Sequence, residues 1–176
     1  RTTDPTRCAV LSGHTDIVTA AEFSPDDTRL LTASLDATAR LWQTDLSRSD
    51  LSALPVVLGH ADRVAAAHFS RGGQRIVTAS WDRSARVWRP DGIDAPAVLA
   101  AHANRVNAAA FAPDGRRFIT GSWDRTARVW DPDGTPHPLD TGAPNRAVAY
   151  APTGDHVAAS AKNGAVHLWR ATQPAT

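Results

Sequence analysis

Short apolar segments alternate with turn residues along the chain. In the first such group, residues rich in Val, Leu, Thr and aromatic side chains cover Val18–Ser24, Arg29–Ser34 and Thr38–Trp42. A Ser-Pro-Asp-Asp sequence beginning at Ser24 separates the first two segments, and Leu35-Asp36 lies in the second break. Segments of this length and composition that are bounded by turn residues are typical of β-strands. The pattern predicts three consecutive strands, here named a, b and c.

The same pattern recurs four times. A tryptophan ends each group, at Trp42, Trp88, Trp130 and Trp169, with separations of 46, 42 and 39 residues. An aromatic residue stands 19 positions before each of them, at Phe23, Phe69, Phe111 and Tyr150. Offsets within the groups are constant, and only the connections between groups vary in length, as surface loops allow. The chain is therefore predicted to be a repeat protein.

A fourth strand, d, is predicted before each new group. These d strands are Val56–Leu58, Ala97–Leu99 and Pro138–Leu139, and Ala9–Leu11 is the same element before the first group. We thus expect an all-β domain over residues 9–170, with tails at 1–8 and 171–176. Its repeats are predicted at about 9–46, 53–92, 95–134 and 135–170.

Two dipeptides connect the repeat to a known family. A Gly-His pair occurs as Gly13-His14 and Gly59-His60, with the variant Ala101-His102, and a Trp-Asp pair occurs as Trp130-Asp131. Over roughly residues 9–170 the chain resembles the WD-repeat family of β-propellers. The resemblance implies four-stranded blades arranged around a channel. It also implies a scaffold that binds a protein or a peptide, and not an enzyme.

Three repeats carry the same set of polar residues at identical spacing. The set is His14, Ser34, Asp36 and Trp42, then His60, Ser80, Asp82 and Trp88, then His102, Ser122, Asp124 and Trp130. A serine hydrolase using one Ser-His-Asp set is the less favoured interpretation, because a catalytic triad is needed once and not in every repeat. The resemblance implies a structural network, in which we expect the order Trp–Ser–His–Asp to satisfy the buried polar groups.

The fourth repeat departs from this set. Thr141, Ala161 and Asn163 occupy the positions of His, Ser and Asp, and only Trp169 remains. We therefore expect the fourth repeat to lack the network and to be the softest. The other histidines fall at unrelated offsets, so no metal site is expected.

Two repeats place Arg and Trp together where the resemblance implies a binding face. Arg63 and Arg105 stand three residues after the Gly-His histidine, and Trp81 and Trp123 precede the turn Asp. Arg and Trp are enriched at interface hot spots, and an Arg can also bind an aromatic ring face. We therefore predict that these four residues bind acidic or aromatic groups of a partner. The alternative is that the indoles only cover the blade ends and each Arg pairs with a nearby Asp.

Composition narrows the choice of partner. The net charge is +1, so neither nucleic acid nor a membrane is expected as a partner, and no cofactor is predicted. Cys8 is the only cysteine, which fits a reducing, cytoplasmic compartment. Lys162 and Glu22 are the only Lys and Glu in an Arg- and Asp-rich chain, a bias typical of some bacterial proteins. The expected role is the sensor or assembly module of a larger bacterial protein.

Counting strands raises the question of ring closure. Residues after Trp169 show no apolar pattern and include Pro174, so we expect the last group to lack a d strand of its own. We expect a partial propeller, completed by a partner or by the rest of a longer chain, rather than a closed ring of four blades. One version is a homodimer in which each copy lends Ala9–Leu11 to the other, which would make the chain a structural self-assembly module.

Overall fold

The computed structural model describes residues 10–44, 55–92 and 94–171, and the regular structure in these ranges is entirely β-strand. The first sheet contains β1 (Val18–Phe23), β2 (Arg29–Ser34), β3 (Thr38–Gln43) and β4 (Val56–Gly59). The second contains β5 (Val64–Phe69), β6 (Ile76–Ser80), β7 (Ala85–Trp88) and β8 (Ala97–Leu99). The third contains β9 (Val106–Phe111), β10 (Phe118–Ser122), β11 (Thr126–Trp130) and β12 (Pro136–Asp140). The fourth contains β13 (Asn145–Tyr150), β14 (His156–Ala161) and β15 (Val166–Arg170).

Strands follow one another antiparallel in every sheet, in chain order. The predicted a, b and c strands are present in all four groups, and the three later d strands are β4, β8 and β12. The prediction of a first d strand is wrong for the residues that can be described. Val10 and Leu11 form no strand, Val10 is 82% exposed, and Ala9 lies outside the described ranges. Without this strand nothing in the described ranges pairs with the outer edge of β15.

In each sheet the turn between the second and third strands is stabilised by hydrogen bonds to the side chain of one of its own residues. In the second sheet the Asp82 carboxylate accepts hydrogen bonds from the Ser84 N–H and hydroxyl at 2.9 and 2.6 Å. These bonds hold the intervening Arg83 at φ 71°, in the left-handed region. Asp side chains stabilise such turns by bonding to backbone two residues ahead. These bonds also direct the other carboxylate oxygen toward the sheet interior, where it lies 2.8 Å from His60 Nδ1.

Neighbouring sheets pack face to face through three apolar clusters. β1 packs against β5, β5 against β9, and β9 against β13. In the first cluster Ala39 and Leu41 of the first sheet meet Val64 and Phe69 of the second. No comparable packing joins β13 to β1 in the described ranges. The four sheets are therefore blades of a partial propeller whose ends do not meet.

No helix in the described ranges is long and apolar enough to cross a lipid bilayer.

Candidate functional site

A chain of hydrogen bonds crosses the interior of each of the first three sheets. In the second sheet the Trp88 Nε1–H donates to the Thr78 hydroxyl at 2.9 Å. His60 Nε2 lies 2.7 Å from the same hydroxyl, and His60 Nδ1 lies 2.8 Å from the Asp82 carboxylate. Asp82 also accepts the Ala61 backbone N–H at 3.1 Å. The order of the network is thus Trp–Thr–His–Asp.

The predicted serine link is wrong. Ser80 Oγ donates to the Asp62 carbonyl at 2.8 Å and accepts the Asp82 N–H at 3.1 Å, and it does not bond to His60. Ser34 and Ser122 likewise bond to backbone at the base of the turn. The hydroxyl that joins Trp to His comes from Thr32, Thr78 and Thr120. Each of these threonines stands 10 residues before its Trp, so the same offset counting makes them candidates beside the serines but cannot choose between the two.

The other members of the predicted set come together in all three sheets. His14 Nδ1 lies 2.8 Å from Asp36, and His102 Nδ1 lies 2.8 Å from Asp124. The indole of Trp42 donates to Thr32 and that of Trp130 to Thr120, both at 2.8 Å. Each His also packs edge-on against its Trp, with ring centroids 6.1 to 6.3 Å apart.

Proton positions in the network follow from the donors and acceptors present. Since the Trp N–H must donate to the Thr hydroxyl, the hydroxyl proton is free to donate to His Nε2, and the Nδ1–H then donates to the Asp carboxylate. This arrangement requires a neutral imidazole. Burial lowers the pKa of His60 and of His102, which favours that form, although the neighbouring carboxylates act in the opposite direction.

The aspartates of the network remain ionised. Burial acts to raise the pKa of Asp82, but hydrogen bonds from Ser84, His60 and the Ala61 N–H outweigh it and lower the pKa to about 2. The pKa of Asp124 is lowered to about 2 by the equivalent bonds from Thr126 and His102. The pKa of Asp36 is lowered as well, chiefly by the bond from Thr38 against the effect of burial. A carboxylate with several donors is held in its charged form.

The Thr–His–Asp order has the connectivity of a catalytic triad, but a substrate cannot reach the Thr hydroxyl. Thr78 and Thr120 are fully buried, and each hydroxyl already accepts a bond from an indole. A nucleophile must reach its substrate, so a buried hydroxyl of this kind cannot act as one. The arrangement repeats in three sheets because each sheet has the same interior to satisfy.

The fourth sheet has a smaller network in place of this one. The Thr141 hydroxyl donates toward the Arg125 and Ala143 carbonyls at 2.7 and 2.9 Å. Asn145 Nδ2 donates to Thr141 Oγ1 at 2.9 Å and to the Ser122 carbonyl of the third sheet at 3.2 Å. These bonds tie the fourth sheet to its neighbour rather than bracing its own interior. Asn163 only accepts the Ala165 N–H, at the turn.

The predicted rim residues lie on one edge of the sheets and contact one another. The Arg63 Cζ lies 4.9 Å from the centre of the Trp81 ring. Arg105 belongs to the next blade, and its Cζ lies 4.4 Å from the centre of the same Trp81 ring. The Arg105 Cζ also lies 3.2 Å from the Trp123 ring. Backbone bonds from the Trp81 N–H to the Arg63 carbonyl and from the Trp123 N–H to the Arg105 carbonyl, at 2.9 and 3.0 Å, fix both pairs in place.

Lys162 extends this row, and sequence reasoning missed it. Its Nζ lies 4.0 Å from the Trp123 ring centre. Lys162 occupies in the fourth repeat the position of Trp81 and Trp123, immediately before the turn, so counting offsets could have placed it here. We name the row Arg63, Trp81, Arg105, Trp123 and Lys162 the rim ladder. Cations and indoles alternate along it across three blades.

The cations of the rim ladder are not paired with any acid of the described residues. Within the described ranges no carboxylate forms an ion pair with Arg63, Arg105 or Lys162, in contrast to the expected alternative of Arg–Asp pairing. Trp81 and Trp123 are half-buried, and their Nε1–H groups are covered without a hydrogen-bond acceptor. The first blade does not continue the ladder, since Ile17 and Leu35 stand at its equivalent positions.

The remaining histidines are not gathered at one place. His68 pairs with Glu22 at 2.6 Å, His137 with Asp131 at 2.7 Å and His156 with Asp155 at 3.0 Å. His167 stacks on Trp169, with ring centroids 5.5 Å apart. No group of three or more potential metal ligands occurs in the described ranges.

Comparison with known families agrees with this architecture. The model of the WD domain, G-beta repeat, matches residues 5–43, 52–89 and 95–131, which together make up more than half of the chain. The matches cover the three repeats that carry the Trp–Thr–His–Asp network, and the fourth sheet lies beyond them. A comparison with curated proteins found no match. WD-repeat proteins commonly serve as scaffolds for protein interactions and are generally not enzymes. The repeat offsets, the four antiparallel sheets and the family match agree, and the chain belongs to the WD-repeat family.

Proposed function

We propose that this chain is a protein- or peptide-binding scaffold whose binding surface is the rim ladder, and that the segment it binds is acidic. The observation that carries the proposal is a row of three cations held over two half-buried indoles, with no carboxylate of the described residues paired to them. In a chain with a net charge of only +1 this row is a local concentration of positive charge.

The ladder geometry suits carboxylate ligands. Stacking over an indole leaves the N–H edge of a guanidinium free to bind a carboxylate, which can accept two parallel bonds from it. The indoles preset the side-chain positions of Arg63 and Arg105, so less conformational freedom is lost on binding. Arg and Trp also dominate the energetics of many interfaces. An extended acidic segment could therefore contact successive blades along the ladder.

A hydrolase function receives no support from the site. The serine hydroxyls bond to backbone atoms, and the hydroxyls next to His are buried. We expect no stoichiometric labelling by a fluorophosphonate probe. Labelling at one serine would favour the enzyme alternative.

The finer role is an extension of the same proposal. We propose a cytoplasmic sensor or assembly module within a larger bacterial protein. The Arg- and Asp-rich composition with a single Lys and a single Glu supports the bacterial assignment.

Calorimetric titration with a synthetic Asp/Glu-rich peptide tests the binding surface. We expect binding that weakens as salt is added, because the ladder is at the surface. Replacing both Trp81 and Trp123 with Ala should weaken binding by at least about tenfold, a loss of about 1.4 kcal/mol. The matched pair of variants is Arg105→Ala on the ladder and Arg71→Ala, an exposed residue at the opposite edge.

Three outcomes would count against the proposal. Equal weakening by Arg71→Ala would show that binding follows overall charge and not the ladder. Unchanged binding after the double Trp substitution, with an intact circular dichroism spectrum, would place the ligand elsewhere. Tighter binding of a single-stranded oligonucleotide than of the acidic peptide would contradict the choice of a protein partner.

A further inference from the structure

The cations of the rim ladder are regularly spaced, and the indoles lie between them. Arg105 sits between two rings, with its Cζ 4.4 Å from the centre of the Trp81 ring and 3.2 Å from that of Trp123. Arg63 is the equivalent residue of the second blade, so it occupies the corresponding place on the other side of Trp81. Trp81 therefore separates two cations.

The fourth blade continues the same spacing with a different residue. Its position equivalent to Arg63 and Arg105 is Pro144, which carries no charge. The Lys162 N–H donates to the Pro144 carbonyl at 2.8 Å, which repeats the backbone bond of the second and third blades. The Lys162 ammonium lies 4.0 Å from the Trp123 ring centre and supplies the cation that Pro144 lacks. The ladder thus holds three cations with an indole in each gap.

Distances to a shared ring limit how far apart these cations are. Arg105 Cζ and Lys162 Nζ are at most about 7 Å apart, because they lie 3.2 and 4.0 Å from the same ring centre. Arg63 Cζ and Arg105 Cζ are at most about 9 Å apart, because they lie 4.9 and 4.4 Å from the other ring centre. In an extended peptide, every second side chain points to the same side, at a spacing of about 7 Å.

We infer that the rim ladder recognises an extended segment with acidic residues at every second position, and that three such residues bind Arg63, Arg105 and Lys162 in turn. This inference rests on the proposed function, since it names the pattern that the acidic segment carries. Three acidic residues in an unbroken run place only two carboxylates on the side that faces the ladder. The side chains between the alternate acids point away from the ladder and are not selected.

The indoles themselves are not free to bind a ligand. Arg105 and Lys162 lie against the Trp123 ring. Arg63 and Arg105 lie against Trp81, and the Nε1–H groups of both indoles are covered. Aromatic platforms for single-stranded nucleic acids stack directly on bases, which requires an uncovered ring face. The groups left for a ligand are N–H donors with a positive charge, and these favour carboxylates over aromatic or basic groups.

Carboxylates of the chain itself leave the three cations available. Asp82 and Asp124 at this edge each lie 2.8 Å from the histidine of their own network, and Asp62 accepts the Arg63 N–H at 2.7 Å. No carboxylate in the described ranges forms an ion pair with a cation of the ladder. Arg63 and Lys162 are exposed, so carboxylates of a ligand can reach them.

Two peptides of identical composition separate the pattern from the charge. Gly-Ser-Asp-Ser-Asp-Ser-Asp-Ser-Gly and Gly-Ser-Ser-Asp-Asp-Asp-Ser-Ser-Gly, with acetylated and amidated ends, are titrated by calorimetry into the 176-residue chain. The alternating peptide should bind about fivefold more tightly, which corresponds to one additional surface ion pair at the upper end of its usual strength. Equal affinities, or tighter binding of the unbroken run, would overturn the inference and leave the proposed acidic ligand in place. If neither peptide binds, the inference and the proposed function both fail.

A double-mutant cycle tests which acid meets which cation. Arg105 is the central cation in either direction of the bound segment, so its partner should be the central Asp of the alternating peptide. Replacing that Asp with Asn and making Arg105→Gln should each weaken binding. The combined loss should be smaller than the product of the two separate fold-losses, because both changes remove the same contact.

Arg71→Gln is the matched control for this cycle. It removes one positive charge from an exposed residue at the opposite edge, so its effect should be independent of the central Asp. Fold-losses that multiply fully for Arg105→Gln, with an intact circular dichroism spectrum, would contradict the pairing of alternate acids with successive cations.

Discussion

The second and fourth sheets end in the same tryptophan but satisfy their interiors differently. In the second sheet Trp88 is joined through Thr78 and His60 to Asp82, so the bonds run from the third strand to the turn that precedes it. In the fourth sheet Ala159 occupies the position equivalent to Thr78, so Trp169 has no threonine hydroxyl to bond to there. The imidazole of His167 stacks on the Trp169 ring instead. The shared Trp is therefore not sufficient for the network.

The comparison shows how one fold is stabilised in two ways. The second sheet is stabilised internally by neutral donors and by one charged acceptor, the Asp82 carboxylate. The fourth sheet is tied to the third by Asn145 and by apolar packing. The outer edge of its strand β15 also pairs with no strand in the described ranges. We expect the stability of the fourth sheet to depend on its contacts with the third, whereas the second sheet is stabilised by a network within its own interior.

The largest loss of stability should come from interrupting the Trp–Thr–His–Asp network of the second sheet. Thr78→Val keeps the side-chain volume but leaves the buried Trp88 N–H and the His60 Nε2 without their partner. Since an unpaired buried polar group costs about 1–3 kcal/mol and two are affected, we expect a loss of about 3 kcal/mol in the free energy of unfolding. Chemical denaturation measures it. The control is Thr15→Val, at an exposed hydroxyl, which should change stability by less than about 0.5 kcal/mol.

An intermediate effect should follow from acidification. His60 and His102 are neutral in the folded chain, and burial lowers their pKa below the ordinary value of 6.5. The unfolded chain therefore binds protons first as the pH falls, and stability that is fully present above about pH 6.5 is lost below it. Denaturation curves between pH 7 and pH 5 measure the slope. In His60→Gln the slope should be shallower, and an unchanged slope would contradict a neutral His60.

Further acidification should remove a second contribution. The pKa values of Asp82 and Asp124 are lowered to about 2, so stability that these carboxylates supply above their ordinary pKa is lost as the pH falls toward 2. The loss begins below the ordinary pKa of 6.5 for the two histidines and below the ordinary pKa of 3.8 for the two aspartates, and both groups belong to the same kind of network.

The smallest effect should come from the fourth sheet. Thr141→Ala changes the position that His60 occupies in the second sheet. The Arg125 carbonyl still accepts the backbone N–H of residue 141, and Asn145 Nδ2 still donates to the Ser122 carbonyl, so these partners remain bonded. We expect a loss of about 1 kcal/mol or less, typical of one hydrogen bond. A loss as large as that of Thr78→Val would show that the two sheets are braced alike.

The serine assignment illustrates a limit of offset counting. Ser80 and Thr78 both recur at constant offsets and both carry a hydroxyl, so spacing alone cannot rank them. Alternation along the strand places them on the same face, and only the tertiary position of His60 decides which one it meets. Lys162 was missed for a different reason: its residue type differs from the two Trp at the equivalent positions, although its place in the repeat is the same.

The amino-acid sequence by itself determined the repeat, the strand order and the membership of His60, Asp82 and Trp88 in a shared polar set. These are local properties, because turn residues and strand alternation depend on neighbours along the chain. The tertiary structure alone decided that threonine completes the network, that Arg105 contacts two indoles, and that the ends of the arc remain apart. Each of these three features depends on contacts between residues that are far apart in the sequence. Such contacts are set by the packing of strands and sheets and not by spacing along the chain.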